Sequence, residues 1–431
     1  MKAQTLPKIL IISHNCFSLT GSNGRTLGNF FQSYPKEMLA QLYVVKEYPN
    51  YELCENYFQI TDKAVLKANL TFSSPKNTAP RQEDTEEVGN GTSFKRTAKT
   101  ALLREIVWRT PLWKRKGVRR WVDEFQPDII LFQAGNLGYL CTLARKMAKQ
   151  RGIPLIVYNT EGYFLKRHNF FDATKKKSFA FWLYMRLFRK SFAKMMKSAA
   201  QTIYISKHLQ DAYNEKITGQ STFVMTSYSE RSVEIRKGAN KNNKTTITYI
   251  GNLDLGRHES LKKIASILGK IDDCLELTIY GKAEKEEILN ELKDYPHIKY
   301  CGFVPYEEVV RIISETDINL VVEGFDSFFV EDSKYAFSTK IADLLNSGKC
   351  LVCYASKELA FVQYLEENQA AHIITREEEL EDSLRKILSQ SKLRTVYERN
   401  AKVLALRNHN IKENQEKFLG VILSCYENRS N

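Results

Sequence analysis

Residues 338–343, Ser-Thr-Lys-Ile-Ala-Asp, put two hydroxyls, an ammonium group and a carboxylate on successive turns of any helix they enter. Ser338 or Thr339 is expected to cap a helix beginning near Lys340, because a hydroxyl side chain can accept an N–H that the first turn leaves unpaired. Unpaired N–H groups and the helix dipole draw an anion to such a start, and Lys340 adds a full positive charge. Asp343 follows one turn on, within reach of a sugar hydroxyl beside a bound phosphate, and Gly348 closes the helix. The stretch "YIGNLDLGRHESL" (249–261) offers a second junction of this kind. A strand stops at Gly251, the chain passes Asn252 and Gly256, and Arg257 stands before a helix. Gly lets backbone approach a bound group closely, and a guanidinium can fork across two phosphate oxygens. Two junctions, each with a cation, form a candidate diphosphate clamp.

A third loop, "ISHNCFSLTGSNGRTLGNFF" (12–31), follows the first strand and carries His14, Gly21, Asn23, Gly24, Arg25 and Thr26. His14 suits either a polar binding loop or an ordinary structural role. "GSNGRTLG" lacks the GxGxxG spacing of a dinucleotide loop, and no GxxxxGK precedes a Ser or Thr. No strand ends in an Asp-x-Asp pair. The expectation is therefore an enzyme with no nicotinamide, flavin or metal cofactor.

Such loops need strands to hold them. Continuous apolar runs mark strands covered on both faces: 8–13, 41–47, 127–133, 154–159 and 201–206. Residues 72–98 are polar and rich in turn formers, and read as a loop insertion. Residues 229–244 are polar with a Gly and an Asn cluster, and mark a domain boundary. The alternation then restarts. Strands are expected at "TITYIGNL", "LELTIYG", "IKYCGFV", "DINLVVE" and "CLVCYA", with helices from about 258 and over 283–293, 305–315 and 339–346. The stretch 323–337 between the last two strands reads as a long loop. Residues 1–230 and 245–405 thus form two α/β domains, each a doubly wound sheet, facing a central cleft. A C-terminal helix in 406–431 is expected to pack back toward the first.

The chain has 431 residues, enough for two cores. Its eight cysteines are scattered through apolar runs, which fits a reduced, cytoplasmic protein. Cys350 and Cys353 are three apart on a strand, so they point to opposite faces and cannot share a metal. The N-terminus enters a strand directly, and its apolar run is too short for a secretion signal. Formal net charge is +14, but 22 Lys and Arg against 6 Asp and Glu fall within 101–210, leaving the remainder at −2. Two stretches carry this charge, 104–121 with three Trp and 175–197. On a helical wheel Arg186, Lys190, Lys194 and Lys197 oppose Phe181, Tyr184, Phe188, Phe192 and Met195. The apolar side reads as core. The basic sides suit an anionic membrane surface rather than nucleic acid, for which no binding module is present.

The segments "YIGNLDLGRHESL", "LTIYGKAEKEEI", "IKYCGFVPYEEV" and "KYAFSTKIADLLNSGK", in that order, resemble the donor half of GT-B glycosyltransferases, especially the retaining family 4. "FLKRHNF", "TIYISKHLQDAY" and "HNCFSLTGSNGRT" are similar to the acceptor half. The resemblance implies that Arg257 and Lys340 bind the diphosphate of a nucleotide-sugar donor, with Ser338 and Thr339 beside it. The family has two Glu eight residues apart, the second holding the ribose. Here Tyr335 stands at the first place and Asp343 at the second, and Glu323 or Glu331 could take over the first role. Retention with a metal-free diphosphate leaving group needs cations and N–H donors, not a covalent nucleophile. Glu161, in "YNTEGYF" after a first-domain strand, either orients the acceptor hydroxyl or is an ordinary loop carboxylate. The expected acceptor is lipid-linked or a polysaccharide at the cytoplasmic membrane face. A nucleotide-sugar epimerase or hydrolase of the same fold, and a non-catalytic partner-binding subunit, are the alternatives.

Overall fold

A computed structural model of the chain describes residues 6–19, 21–81, 97–110, 117–172, 178–228 and 245–428. The chain divides into two compact units, Met1–Met225 with Lys412–Asn431, and Thr226–Ile411. The boundary segment 229–244 lies outside the described residues, as do 82–96 of the polar stretch 72–98.

The first unit runs β1 (Ile9–Ile12), α1 (Ser22–Asn29), β2 (Leu39–Tyr43), β3 (Asn56–Gln59), α2 (Asp62–Leu70), α3 (Ala98–Val107), α4 (Gly117–Phe125), β4 (Ile129–Ala134), α5 (Gly138–Arg151), β5 (Leu155–Asn159), α6 (Phe179–Met196), β6 (Gln201–Tyr204), α7 (Lys207–Asn214) and β7 (Ser221–Phe223). Its seven strands pair in parallel in the order β3-β2-β1-β4-β5-β6-β7. The order reverses between β1 and β4, the place where open α/β sheets leave a crevice beyond the strand ends.

The second unit runs β8 (Ile247–Asn252), α8 (Arg257–Ile271), β9 (Leu277–Lys282), α9 (Glu286–Lys293), β10 (Ile298–Tyr300), α10 (Tyr306–Glu315), β11 (Ile318–Val322), α11 (Ser327–Ser333), α12 (Lys340–Asn346), β12 (Cys350–Tyr354), α13 (Ala360–Glu367), β13 (His372–Ile374), α14 (Leu380–Ser389) and α15 (Ser391–Asn408). Its six parallel strands lie in the order β10-β9-β8-β11-β12-β13, reversing between β8 and β11. The last helix, α16 (Ile411–Glu427), returns to the first unit, where Phe418 stacks on Phe30 at 4.2 Å and meets Tyr158 edge-on at 5.3 Å.

Strands β1, β4, β5, β11 and β12 are buried along their whole length, which is why their sequences are unbroken apolar runs. Three strands without such a run, β3, β7 and β13, each lie at a sheet edge. Cys350 and Cys353 are both buried in β12, where burial pushes their thiols up. Two stretches read as loops are helical. Asn23, Gly24, Arg25 and Thr26 lie in α1, not in an open loop, because a side-chain-free Gly24 lets the helix press onto the Cys16 carbonyl. Within 323–337, α11 forms with Asp326 accepting from the Phe328 N–H at 2.7 Å.

Helix α6 is capped by Ser178, whose hydroxyl accepts from Phe181 N–H at 3.2 Å; residues 175–177 lie outside the described residues. Phe181, Tyr184, Phe188, Phe192 and Met195 are buried, whereas Arg186, Lys190, Lys194 and Lys197 are exposed. The stretch 104–121 departs from a basic, Trp-bearing outer face. Trp108 is buried, stacked on Tyr139 at 4.4 Å, and donates to Asp62 Oδ1 at 2.6 Å. Arg104 pairs with Asp62 at 2.7 Å and Arg109 with buried Glu105, so both cations are tied inside the unit. Residues 111–116, with Trp113, lie outside the described residues.

Candidate functional site

In the second unit the site is built on the carboxyl ends of β8 and β11, at the reversal of strand order. Strand β8 ends in Gly251 and Asn252, paired with Gly281 and Lys282 of β9. Beyond it the chain turns through Leu255 (φ 59°) and Gly256 (φ 77°), and α8 begins at Arg257. Gly256 packs under Phe329 and Gly324, so the glycine serves both the left-handed conformation and the close approach. At the α8 start the N–H groups of Arg257 and His258 face the carbonyls of Asp254 (3.4 Å) and Leu253 (3.3 Å), so this helix start is largely satisfied by its own loop. What it offers a ligand is the Arg257 side chain.

Arg257 lies fork to fork with Glu323, just past β11: Nε donates to Oε2 at 2.9 Å and Nη2 to Oε1 at 2.8 Å. The pair is largely buried, with side chains 17% and 11% exposed. Ser260 hydroxyl donates to the Glu323 carbonyl at 2.9 Å, tying α8 to the end of β11. The third guanidinium nitrogen, Nη1, is 3.5 Å from Asn252 Oδ1. Glu323 is therefore engaged by Arg257.

Lys340, the first residue of α12, carries its Nζ to the β8 end. A Cβ placed on Gly251 would stand 2.6 Å from that Nζ and 2.6 Å from the Tyr249 hydroxyl. Tyr249 is buried and donates to the Asn252 carbonyl at 2.7 Å, holding the strand end in shape. Burial drives its phenol well above the usual range, while the Arg257 charge pulls the other way. Gly251, Asn252, Arg257 and Lys340 are thus brought together by a glycine that leaves room for an ammonium group.

The expected helix cap is corrected. Thr339 has helical backbone angles and makes no side-chain cap, and the Ser338 carbonyl, rather than its hydroxyl, takes the Ile341 N–H at 3.1 Å. Helix α12 has seven residues, so its dipole adds little and the charge of Lys340 dominates. Ser338, Thr339 and Tyr335 are half-buried around it, and Glu331 is exposed on α11. Asp343 is buried one turn on, its Oδ2 accepting from Tyr306 hydroxyl at 2.8 Å. Tyr306, first residue of α10, was not singled out by sequence, although it stands in the quoted "GFVPYEEV". Tyr249 was equally inconspicuous, being one aromatic of an apolar strand.

Among the described residues, one group of metal-ligating types comes together, His258, Glu259 and Glu291. The Lys262 ammonium lies 2.9 Å from both carboxylates, occupying the place a cation would take.

In the first unit, the segment after β1 is held by Gln41, fully buried. Its Oε1 accepts from Phe17 N–H and its Nε2 donates to Ser13 Oγ, each at 2.8 Å. His14 is half-buried, and its carbonyl takes the N–H groups of Val44 (3.2 Å) and Val45 (3.0 Å). Asn15 donates to Glu47 Oε1 at 2.7 Å, and Gly21, the N-cap of α1, lies against the same carboxylate. Burial raises the Glu47 carboxyl. Glu47 follows the apolar run of β2, a position that marks it as a strand-end carboxylate. Glu161 stands two residues past β5, half-buried, its carbonyl accepting from Tyr213 hydroxyl at 2.9 Å.

Residues 257–420 match the family described as glycosyl transferase-like, so the second unit carries a glycosyltransferase family domain. The chain is similar along nearly its whole length to solved glycosyltransferase structures. Anabaena HepE, solved with UDP, is 12% identical with a TM-score of 0.63, covering 97% of this chain and 100% of its own. Sucrose-phosphate synthase from Thermosynechococcus elongatus is 10% identical with a TM-score of 0.63, covering 97% and 99%. WaaG, a glycosyltransferase involved in lipopolysaccharide biosynthesis, is 10% identical with a TM-score of 0.56, covering 95% and 98%. These likenesses establish the GT-B fold. No curated protein matches the sequence.

Proposed function

We propose that the chain is a retaining glycosyltransferase of the family 4 type, moving a sugar from a nucleotide-sugar donor to a lipid-linked or polysaccharide acceptor. The observation that carries this reading is the placing of Lys340 Nζ and the Arg257 guanidinium on the two adjoining residues, Gly251 and Asn252, that end β8 at the sheet's reversal point. When the bond from the anomeric carbon to the phosphate oxygen breaks, positive charge grows on the ring and negative charge on the diphosphate. Two fixed cations at the diphosphate favour that charge separation, and the Glu323 fork removes the cost of orienting one of them during reaction. This reading gives leaving-group stabilisation to protein cations, with no resident metal, because no strand of the sequence ends in an Asp-x-Asp pair.

Asp343, with Tyr306 on one oxygen, is assigned the ribose. Ser338 and Thr339 flank the diphosphate, Glu161 orients the acceptor hydroxyl, and His14, Gly21, Asn23, Gly24, Arg25 and Thr26 line the acceptor side. HepE and sucrose-phosphate synthase lend their fold to this reading, and the UDP in the former favours a uridine nucleotide as first choice. No helix among the described residues is long and apolar enough to cross a membrane. The reading places the enzyme in the cytoplasm, on the inner membrane face, through the exposed cations of α6, in cell-surface polysaccharide synthesis.

The test is a panel of nucleotide sugars scored for protection against thermal unfolding, with UDP and GDP titrated calorimetrically. At least one nucleotide should raise the melting temperature in the parent and fail to do so in Lys340→Ala. A chain that binds none would be a non-catalytic subunit, and one that releases free sugar without any acceptor would be a hydrolase.

A further inference from the structure

The first unit contains a cavity of about 500 Å³ lined by Lys166, Arg167, Arg186 and Arg189, with Phe181 and Trp182 among its apolar walls. Among the described residues, no carboxylate lines it. Arg189 is fixed there: Nε donates to the Phe164 carbonyl at 3.2 Å and Nη2 to the Lys166 carbonyl at 2.6 Å, so α6 fastens the segment that brings Lys166 and Arg167. Arg186 lies over the Trp182 ring at 5.3 Å, and Lys166 over Phe170 at 5.5 Å. Carbonyls hold Arg189 and a ring face meets Arg186. Among the described residues, no ion pair engages Arg167, Arg186 or Arg189. Burial, and then the charge of Arg167, lowers the Arg189 guanidinium from its ordinary value. Like charges gathered in a recess repel, and an anion entering it recovers that energy.

The rim identifies the source of the anion. Phe179 and Trp182, on the first turn of α6, are 75% and 52% exposed and stack on each other with centroids 5.6 Å apart. A soluble phosphate has no use for two exposed rings. Aromatic side chains beside cations suit the boundary between lipid headgroups and acyl chains.

We propose that this cavity takes the phosphate of an anionic lipid headgroup, with Phe179 and Trp182 entering the interfacial layer. The inference narrows the membrane reading above to one recess and is independent of the donor site, since nucleotide binding is measured separately on the same protein. The experiment is sedimentation of the full chain with phosphatidylglycerol vesicles, phosphatidylcholine vesicles serving as reference. Arg167→Ala with Arg186→Ala should weaken binding about tenfold or more, taking about one unit of basic-residue attraction for each side chain. Lys63→Ala with Lys67→Ala removes the same charge from α2 of the same unit, away from the cavity and from the exposed face of α6, and should change binding by less than about twofold. Unchanged nucleotide binding in both double variants shows that they are folded. Equal losses in the two variants would reduce the site to diffuse charge and overturn the proposal. So would stabilisation by inorganic phosphate or glycerol phosphate without vesicle binding, which marks a free-anion site.

Discussion

Arg257 and Glu323, 66 residues apart in sequence, meet through two parallel hydrogen bonds of 2.9 and 2.8 Å beyond the ends of neighbouring strands β8 and β11. The pair joins the two strands that flank the sheet's reversal point. Removing one partner of a buried, bidentate ion pair leaves the other charged and uncompensated. Glu323→Ala should lower unfolding free energy by about 3–5 kcal/mol. Glu323→Gln keeps the shape and one acceptor oxygen, and should lose less stability while weakening nucleotide binding. Chemical denaturation and calorimetric titration on both variants separate the two effects; nucleotide affinity untouched in Glu323→Gln would deny the pair its positioning role.

Gly251 controls where Lys340 sits. A methyl group there would approach Nζ and the Tyr249 hydroxyl to 2.6 Å, and the flexible lysine is the side that gives way. Gly251→Ala should therefore act as a mild form of Lys340→Ala. Losing a charge-assisted contact to the diphosphate is expected to cost about 10–100-fold in transfer rate. Stability should fall by only about 1–3 kcal/mol in Gly251→Ala, the usual range for overpacking. Full activity in Lys340→Ala would remove the ammonium from the mechanism.

In the proposed function Asp343, with Tyr306 on one oxygen, takes the ribose and not the phosphates. Asp343→Ala should reduce affinity for UDP while leaving inorganic pyrophosphate binding unchanged, because pyrophosphate has no hydroxyl for the carboxylate. Tyr306→Phe deletes the donor that holds one carboxylate oxygen at 2.8 Å, and is expected to give a smaller loss of the same kind. Parallel losses for UDP and pyrophosphate would assign Asp343 to general folding instead.

His409 makes the second unit sensitive to acid. It is fully buried, with Nδ1 2.6 Å from the Thr226 carbonyl and Nε2 2.9 Å from the Tyr364 hydroxyl. Nδ1 therefore carries the proton, and Nε2 accepts from the tyrosine, whose oxygen in turn accepts from Asn408 at 3.0 Å. Burial lowers its pKa to about 4. The unfolded chain binds a proton near the ordinary histidine value while the folded chain does not. Stability is thus complete above about pH 6.5 and declines as pH falls toward 4, by about 3 kcal/mol from this group. His372, lowered by burial and then by Lys386, acts in the same direction. Melting temperatures at pH 8 and pH 5 should differ less in His409→Gln than in the parent, with His372 leaving a residual slope. An unaltered slope would place the acid sensitivity elsewhere.

The sequence by itself determined the central strands of both sheets and the two cations that follow strand ends in the second unit. Runs such as "ILII", "IILFQA" and "CLVCY" are buried on both faces, and only a covered parallel strand suits them. Arg257 and Lys340 could be picked out because a cation where a strand turns into a helix is a local pattern. Edge strands β3, β7 and β13 were not legible, since none carries such a run, whereas β10, also at an edge, was marked by "IKYCGFV". Tertiary structure alone decided what the cations touch. That Lys340 reaches Gly251, that Glu323 belongs to Arg257, and that Trp108 turns inward onto Asp62 are contacts across 46 to 89 residues, set by strand order. Local sequence encodes burial and periodicity. Partners this far apart are chosen by which strand ends the sheet lays side by side, and strand order arises from the collective packing of the whole unit.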